Sequence, residues 1–104
     1  MGDTDRKRQG GVLEKTRKKT DTPKLYKVLL HNDDYTTMEF VILILEQIFN
    51  KSPAEAHRVM MNVHTGGVGV AGVYSHEVAE TKVALTHDAA KEAGHPLRCS
   101  MEPE

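Results

Sequence analysis

Three short polar side chains with hydrogen-bond-accepting oxygens follow one another at Asn32, Asp33 and Asp34, directly after an apolar stretch. Their carbonyl and carboxylate oxygens can accept several hydrogen bonds at the rim of a hydrophobic surface. A ligand that suits such a rim is cationic at one end and apolar at the other. Taken alone, an Asn-Asp-Asp run is most often a turn in which these side chains bind nearby backbone amides.

The polar run lies between a predicted strand and a predicted helix. Residues 25–30 form a short, mostly apolar segment of the kind that is found in buried strands. Thr36 and Glu39 have the spacing of a capping box ahead of an apolar stretch, which predicts a helix over residues 37–50. That helix is nearly apolar all round, so we expect it to be central to the core.

Ser52 and Pro53 indicate the start of a second helix. Serine is a preferred N-cap and proline suits the first helical position, while Glu55 completes a second capping box. The apolar stripe of this helix ends at His64. Glycines then lie before and within a second predicted strand over residues 68–74, where small residues indicate close backbone packing or a bulge.

The end of the chain adds one more helix and one more strand. Ser75 can cap the helix, which Gly94 and Pro96 end. Residues 97–101 alternate between apolar and polar side chains, as expected for a strand with one solvated face. The order is β-α-α-β-α-β, which predicts a small α+β domain with a three-stranded antiparallel sheet packed against helices on one side.

Charge divides the 104-residue chain into two parts. Residues 1–24 carry eight Lys or Arg against four Asp or Glu, whereas the remainder carries six against eleven. We expect residues 1–23 to be a disordered basic tail, because they have too little apolar surface to repay the entropy of ordering, and residues 24–104 to be the core. A single cysteine, Cys99, favours a reducing compartment. Since no apolar run approaches the length of a membrane span, we expect a cytoplasmic chain with no membrane partner.

The sequence gives little support for an enzyme or a bound cofactor. It contains no nucleophile motif and no glycine-rich phosphate loop, so we expect no catalytic residues. The six histidines lack compact ligand spacing and have no second cysteine beside them, so neither a metal nor another cofactor is expected. The basic tail raises the possibility of nucleic-acid binding, but the acidic remainder and the few aromatic residues argue against that partner.

Several segments together resemble ClpS, the adaptor family of the bacterial ClpAP protease. The resemblance covers essentially the whole chain after Pro23, and its most specific runs are Asn-Asp-Asp-Tyr-Thr from Asn32 and Val-Ala-Glu-Thr-Lys-Val-Ala from Val78. It implies a non-enzymatic adaptor for proteins that begin with a bulky hydrophobic residue (Leu, Phe, Tyr or Trp) and a free α-amino group. Such N-end-rule substrates are handed to ClpA, the unfoldase of ClpAP.

The resemblance also implies a binding site. An α-amino group is an ammonium with donors only, so its site needs acceptors. Those acceptors are implied to be Asn32, Asp33, Asp34 and His64. Which aspartate makes the direct contact stays open. The pocket for the first side chain is implied to be lined by Met38, Val41, Met60, Val63 and Leu97. Met38 would exclude side chains that branch at Cβ.

Further residues are implied to support the site or to dock the partner. Thr36 would support the site through its cap, and Glu77 and Lys82 match positions that face the N-terminal domain of ClpA. Two residues depart from the family pattern. His31 is expected to place a second titratable ring near the site, and Thr37 replaces a proline at the first helical position.

An alternative is a ribosomal-stalk-like interaction module that recruits translation factors, because the order of elements suits that fold too. It explains neither the acceptors at residues 32–34 nor Met38. For the adaptor, we expect binding to weaken as the pH falls, since a protonated His64 cannot accept a hydrogen bond.

Overall fold

The structure, a computed structural model, describes residues 23–104. Its elements follow the predicted order. They are β1 (Leu25–His31), α1 (Met38–Gln47), α2 (Pro53–Gly66), β2 (Val68–Ser75), α3 (His76–Ala93) and β3 (Arg98–Pro103). The predicted tail lies outside the described residues except for Pro23, so the domain boundary stays a prediction.

The sheet is three-stranded and antiparallel, with β1 between β2 and β3. Successive side chains of β1 point to opposite faces of the sheet. Val28 and Leu30 are fully buried in the core formed with the helices, whereas Lys27, Leu29 and His31 are partly exposed. The predicted α+β class is confirmed.

Small residues in β2 allow it to pack closely. The pairing of β1 with β2 shifts between Val28 and Leu29, which leaves Ala71 as an extra residue in a bulge. At Gly69, a Cβ atom would lie 2.7 Å from Cγ2 of Val63. The strand therefore approaches α2 more closely than a larger residue allows, and both features that the glycines predicted are present.

Helix α1 is shorter than predicted, and only one of its sides is buried. Its N-cap is Thr37, whose hydroxyl accepts a backbone N–H bond, so the prediction of Thr36 as the cap was wrong by one residue. The helix ends at Gln47 and not at Asn50, where a φ of 56° is incompatible with a continuing helix. The expected burial on all sides is also wrong: Leu43 is 47% exposed, because the rest of the fold covers only one side of α1.

Helices α2 and α3 begin and end with standard capping residues. Ser52 and Ser75 accept hydrogen bonds from backbone amides, as predicted. Gly67 and Gly94 adopt the left-handed conformation after the last helical residue. Helix α2 extends past His64, its predicted last residue, because Gly67 is the residue that closes it.

Two details differ from the sequence predictions. The carboxylate of Glu55 pairs with the guanidinium of Arg58 at 2.7 Å, so it does not complete the predicted second capping box. The last strand extends to Pro103, because its pairing with β1 continues until Pro103 lies opposite Tyr26. Among residues 23–104, no helix has the length and apolar character needed to cross a membrane.

Candidate functional site

A cavity of about 250 Å³ opens where the end of β1 meets the start of α1 and the second half of α2. It brings together predicted site residues that are distant in sequence. Its lining consists of Asn32, Asp33, Asp34, Thr36, Met38, Val41, Met60, Val63 and His64. This volume lies below the range that is typical of cofactor and drug-sized sites, so it suits a single side chain.

Asp33 builds the turn that connects β1 to α1. Its Oδ1 accepts hydrogen bonds from the amides of Tyr35 and Thr36 at 2.8 and 2.7 Å, and its Oδ2 accepts one from the Thr36 hydroxyl at 2.7 Å. Burial raises the pKa of Asp33, but these bonds and the nearby His95 outweigh burial and hold the pKa below its usual 3.8. Because the Thr36 hydroxyl bonds to Asp33, the next residue, Thr37, caps α1.

Asn32, Asp34 and His64 supply the remaining polar groups of the rim. All three are exposed, and within residues 23–104 their side chains make no hydrogen bond or ion pair to other residues. The backbone amide of Asn32 donates to the carbonyl oxygen of Gly67 at 2.9 Å. That bond joins the end of β1 to the end of α2, and so holds Asn32 beside the helix that carries His64.

The interior of the cavity is apolar. Val41, Met60 and Val63 are buried, whereas Met38 is 42% exposed and therefore lies at the entrance. Flexible methionine side chains adapt to ligand groups of different shape. Behind this wall, Gly69 of β2 contacts Val63 closely, so the width of the cavity depends on a residue that does not line it.

Leu97, which was predicted for the pocket, and His31, which was expected near the site, do not line the cavity. Leu97 is only 3% exposed and belongs to the buried core, but it does not line the cavity. The Nε2 atom of His31 lies 2.7 Å from the hydroxyl of Ser100 in β3. The ring of His31 therefore does not line the cavity, because alternation along β1 turns it to the face opposite the buried Leu30.

The two predicted docking residues on α3 have different surroundings. Glu77 is exposed in the first turn. Lys82 is half-buried: its Nζ donates to the carbonyl oxygen of Ile48 and lies 5.9 and 5.5 Å from the ring centres of Phe49 and Tyr74. It thus satisfies a carbonyl group after the end of α1. Sequence reasoning missed this role, because the contact joins residues 34 positions apart.

A larger depression, of about 670 Å³, lies beside β2 on the other side of α2. Leu29, valines and glycines line it together with Lys51, Arg58, Asn62 and Thr65, and its lining has two cationic side chains and no carboxylate to bind an ammonium. Among residues 23–104, no three His, Cys, Asp or Glu side chains are grouped to hold a metal ion. The smaller cavity is therefore the candidate site.

Comparison with known proteins identifies the family. Residues 21–100 match the family described as ATP-dependent Clp protease adaptor protein ClpS. An ATP-dependent Clp protease adapter protein ClpS from Desulfatibacillum aliphaticivorans is 61% identical over 95 residues, which are 91% of each chain. The chain belongs to the ClpS family. A ClpS from Maricaulis maris is 60% identical over 94 residues, which cover 90% of this chain and 86% of the relative.

A solved ClpS structure has the same fold. The structure of Agrobacterium tumefaciens ClpS2 bound to L-phenylalaninamide matches with a TM-score of 0.77 and 48% identity, and covers 80% of this chain and 100% of that one. Family membership makes this ClpS chain an adaptor of a Clp protease and not an enzyme. It also excludes the ribosomal-stalk alternative.

Proposed function

We propose that this chain binds proteins with a bulky hydrophobic N-terminal residue and a free α-amino group, and delivers them to the ClpAP protease. One observation carries the proposal: a single cavity of side-chain size combines an apolar interior with a rim of acceptors. None of its lining residues, all within 23–104, is a lysine or an arginine that would repel an ammonium. The ClpS2 relative, which was solved with L-phenylalaninamide, supports the same ligand chemistry.

Asp34 is the aspartate that we assign to the α-amino group. A carboxylate offers about four lone-pair positions, and Asp33 uses three of them within its own turn. Asp34 is exposed at the same cavity without such partners among the described residues. Asp33 is therefore the positioning residue. Asn32 and His64 supply the other acceptors, and Thr36 supports the site through Asp33.

The first side chain of the substrate enters between Met38, Val41, Met60 and Val63. Burial of such a side chain stabilises the complex by about 1.5–3 kcal/mol. The methionines at the entrance and in the buried wall allow leucine, phenylalanine, tyrosine and tryptophan to fit one cavity. Met38, at the entrance, contacts the region next to the substrate backbone and so disfavours side chains that branch at Cβ.

His64 binds the ammonium only while its imidazole is neutral. A neutral ring offers one nitrogen lone pair, whereas the imidazolium has donors only and repels the substrate charge. Affinity should therefore be lower at mildly acidic pH than at neutral pH. Equal affinity under the two conditions would contradict the role of His64.

Docking to the N-terminal domain of ClpA uses the exposed side of α3, where Glu77 provides a free charge. Lys82 is less available for docking, because its ammonium already donates a hydrogen bond to the carbonyl oxygen of Ile48. A substitution at Lys82 should therefore change the stability of the adaptor as well as its docking. Glu77→Gln, which removes the charge of an exposed side chain without placing a cation at the start of α3, should weaken docking with little change in stability.

The test is a panel of fluorescent peptides that differ only in their first residue. Fluorescence anisotropy should detect binding for Leu, Phe, Tyr and Trp and little for Ile, Val or Gly. The chain should also accelerate degradation of a reporter that begins with phenylalanine by purified ClpAP. Equal binding of all peptides would refute the proposed pocket. Binding without accelerated degradation would refute the proposed delivery to ClpAP but not the proposed binding of N-terminal residues.

A further inference from the structure

Met38 differs from the other methionines of the described chain in its exposure. Met60 is 4% exposed, and Met61 and Met101 are partly buried, whereas Met38 is 42% exposed. Among residues 23–104, Met38 is thus the only exposed methionine, and it lines the candidate cavity. Oxidation of methionine to the sulfoxide depends on access to the sulfur, so this thioether is the most reactive one in the described chain.

We propose that Met38 is an oxidation-sensitive gate, and that its conversion to the sulfoxide weakens binding of the N-terminal side chain. The inference rests on the proposed function, because it concerns regulation of the same site. The oxidant is a peroxide such as hydrogen peroxide. Its O–O bond breaks, one oxygen atom is transferred to the lone pair of Sδ, and water leaves. Methionine sulfoxide reductases reverse the change with electrons from a dithiol.

The surroundings of Met38 explain why the sulfoxide is unfavourable there. The sulfoxide oxygen is an acceptor, and Asp33 and Asp34 on the rim are ionised acceptors too. The hydroxyl proton of Thr36, a possible donor, is already bonded to Asp33. The remaining donors of the lining, the side-chain amide of Asn32 and the ring N–H of His64, lie on the rim that receives the substrate ammonium. When a substrate side chain covers the entrance, the new oxygen loses water and must either stay unpaired, which is costly, or compete with the ammonium for the rim.

Cys99 does not provide a competing oxidation site. It is buried in β3, and burial raises the pKa of its thiol to about 11. The thiolate, which is the form that peroxides oxidise, is therefore scarce at neutral pH. Reaction with a limited amount of peroxide should consequently modify Met38 before Cys99.

The experiment uses the full chain, hydrogen peroxide and a labelled peptide that begins with phenylalanine. Mass spectrometry follows each methionine-containing fragment while anisotropy measures affinity in the same samples. Affinity should fall by roughly tenfold or more as Met38 sulfoxide accumulates, and a methionine sulfoxide reductase should restore it. Met38→Leu should show no further loss with peroxide relative to its own starting affinity. Met61→Leu should remain as sensitive as the unaltered chain.

Three results would contradict the proposal in distinguishable ways. Unchanged affinity in a chain whose Met38 is fully oxidised overturns the inference and leaves the proposed function intact. An equal loss in oxidised Met38→Leu overturns it too, because another residue is then responsible. Absence of binding before any oxidation refutes the proposed function, and the gate with it.

Discussion

Replacement of each aspartate in the Asn-Asp-Asp run should separate binding from stability. Asp34→Ala removes an exposed carboxylate that makes no contact with other described side chains, so the free energy of unfolding should change little. It also removes a hydrogen bond to a charged group, which is worth about 1.5–3 kcal/mol. Affinity for a peptide that begins with phenylalanine should therefore fall roughly 10-fold to 150-fold.

Asp33→Ala should, in contrast, mainly lower the free energy of unfolding. It deletes three hydrogen bonds in the turn, and at a net contribution of about 0.5–1.5 kcal/mol each, the loss of stability is about 1.5–4.5 kcal/mol. The folded-state pKa of Asp33 lies below its unfolded value, so its contribution is present at neutral pH and is lost as the pH falls below about 4. The difference in stability between Asp33→Ala and the unaltered chain should shrink there.

Urea denaturation and peptide anisotropy on the same preparations distinguish the two roles. Asp34→Asn, which keeps the shape but not the charge, is the matched control for binding. The reasoning is refuted if Asp34→Ala unfolds as readily as Asp33→Ala, or if Asp33→Ala keeps full stability and alone abolishes binding.

Further predictions concern residues around the site and in the core. Lys82→Met should lower the free energy of unfolding by about 1–2 kcal/mol in urea denaturation. Lys91→Met, an exposed change in the last turn of the same helix, should lower it less. Gly69→Ala should push the cavity wall inward, which should weaken peptide binding and lower the free energy of unfolding by about 1–3 kcal/mol. Gly66→Ala is the control and should bind the peptide normally, because the space at its Cβ position is open. Burial raises the pKa of the Cys99 thiol to about 11, so Cys99 should react slowly with iodoacetamide at pH 8 in the folded chain and rapidly in urea. Rapid reaction in the folded chain would contradict the burial of Cys99.

The order of the elements could be predicted because it depends on local patterns. Capping serines, terminating glycines and runs of apolar residues act within a few positions, and all six elements formed where these signals lie. One error arose where a local signal had two solutions. Thr36 and Thr37 could each cap α1, and the choice was decided by the hydroxyl bond from Thr36 to Asp33.

The candidate site residues could be named from the resemblance, but the roles that we propose for Asp33 and Asp34 depend on the fold. Asp33 and Asp34 are equivalent in the sequence, and only the hydrogen bonds of the turn distinguish them. The link from Lys82 to Ile48 and the contact of Gly69 with Val63 join separate elements, so no local pattern reports them. Leu97 is buried in the same core as Met60 and Val63, but unlike them it does not line the cavity, and no local pattern reports that difference.

The most direct test of the central claim compares two peptides that begin with phenylalanine and differ only in acetylation of the α-amino group. Acetylation removes the charge and leaves the rim acceptors unpaired, while the side chain stays the same. We predict micromolar or tighter binding of the free peptide, no measurable binding of the acetylated one, and a smaller difference between the two peptides in His64→Ala, which keeps the acceptors of Asn32 and Asp34. Equal affinity for both peptides would contradict the claim that this cavity recognises a free N-terminus.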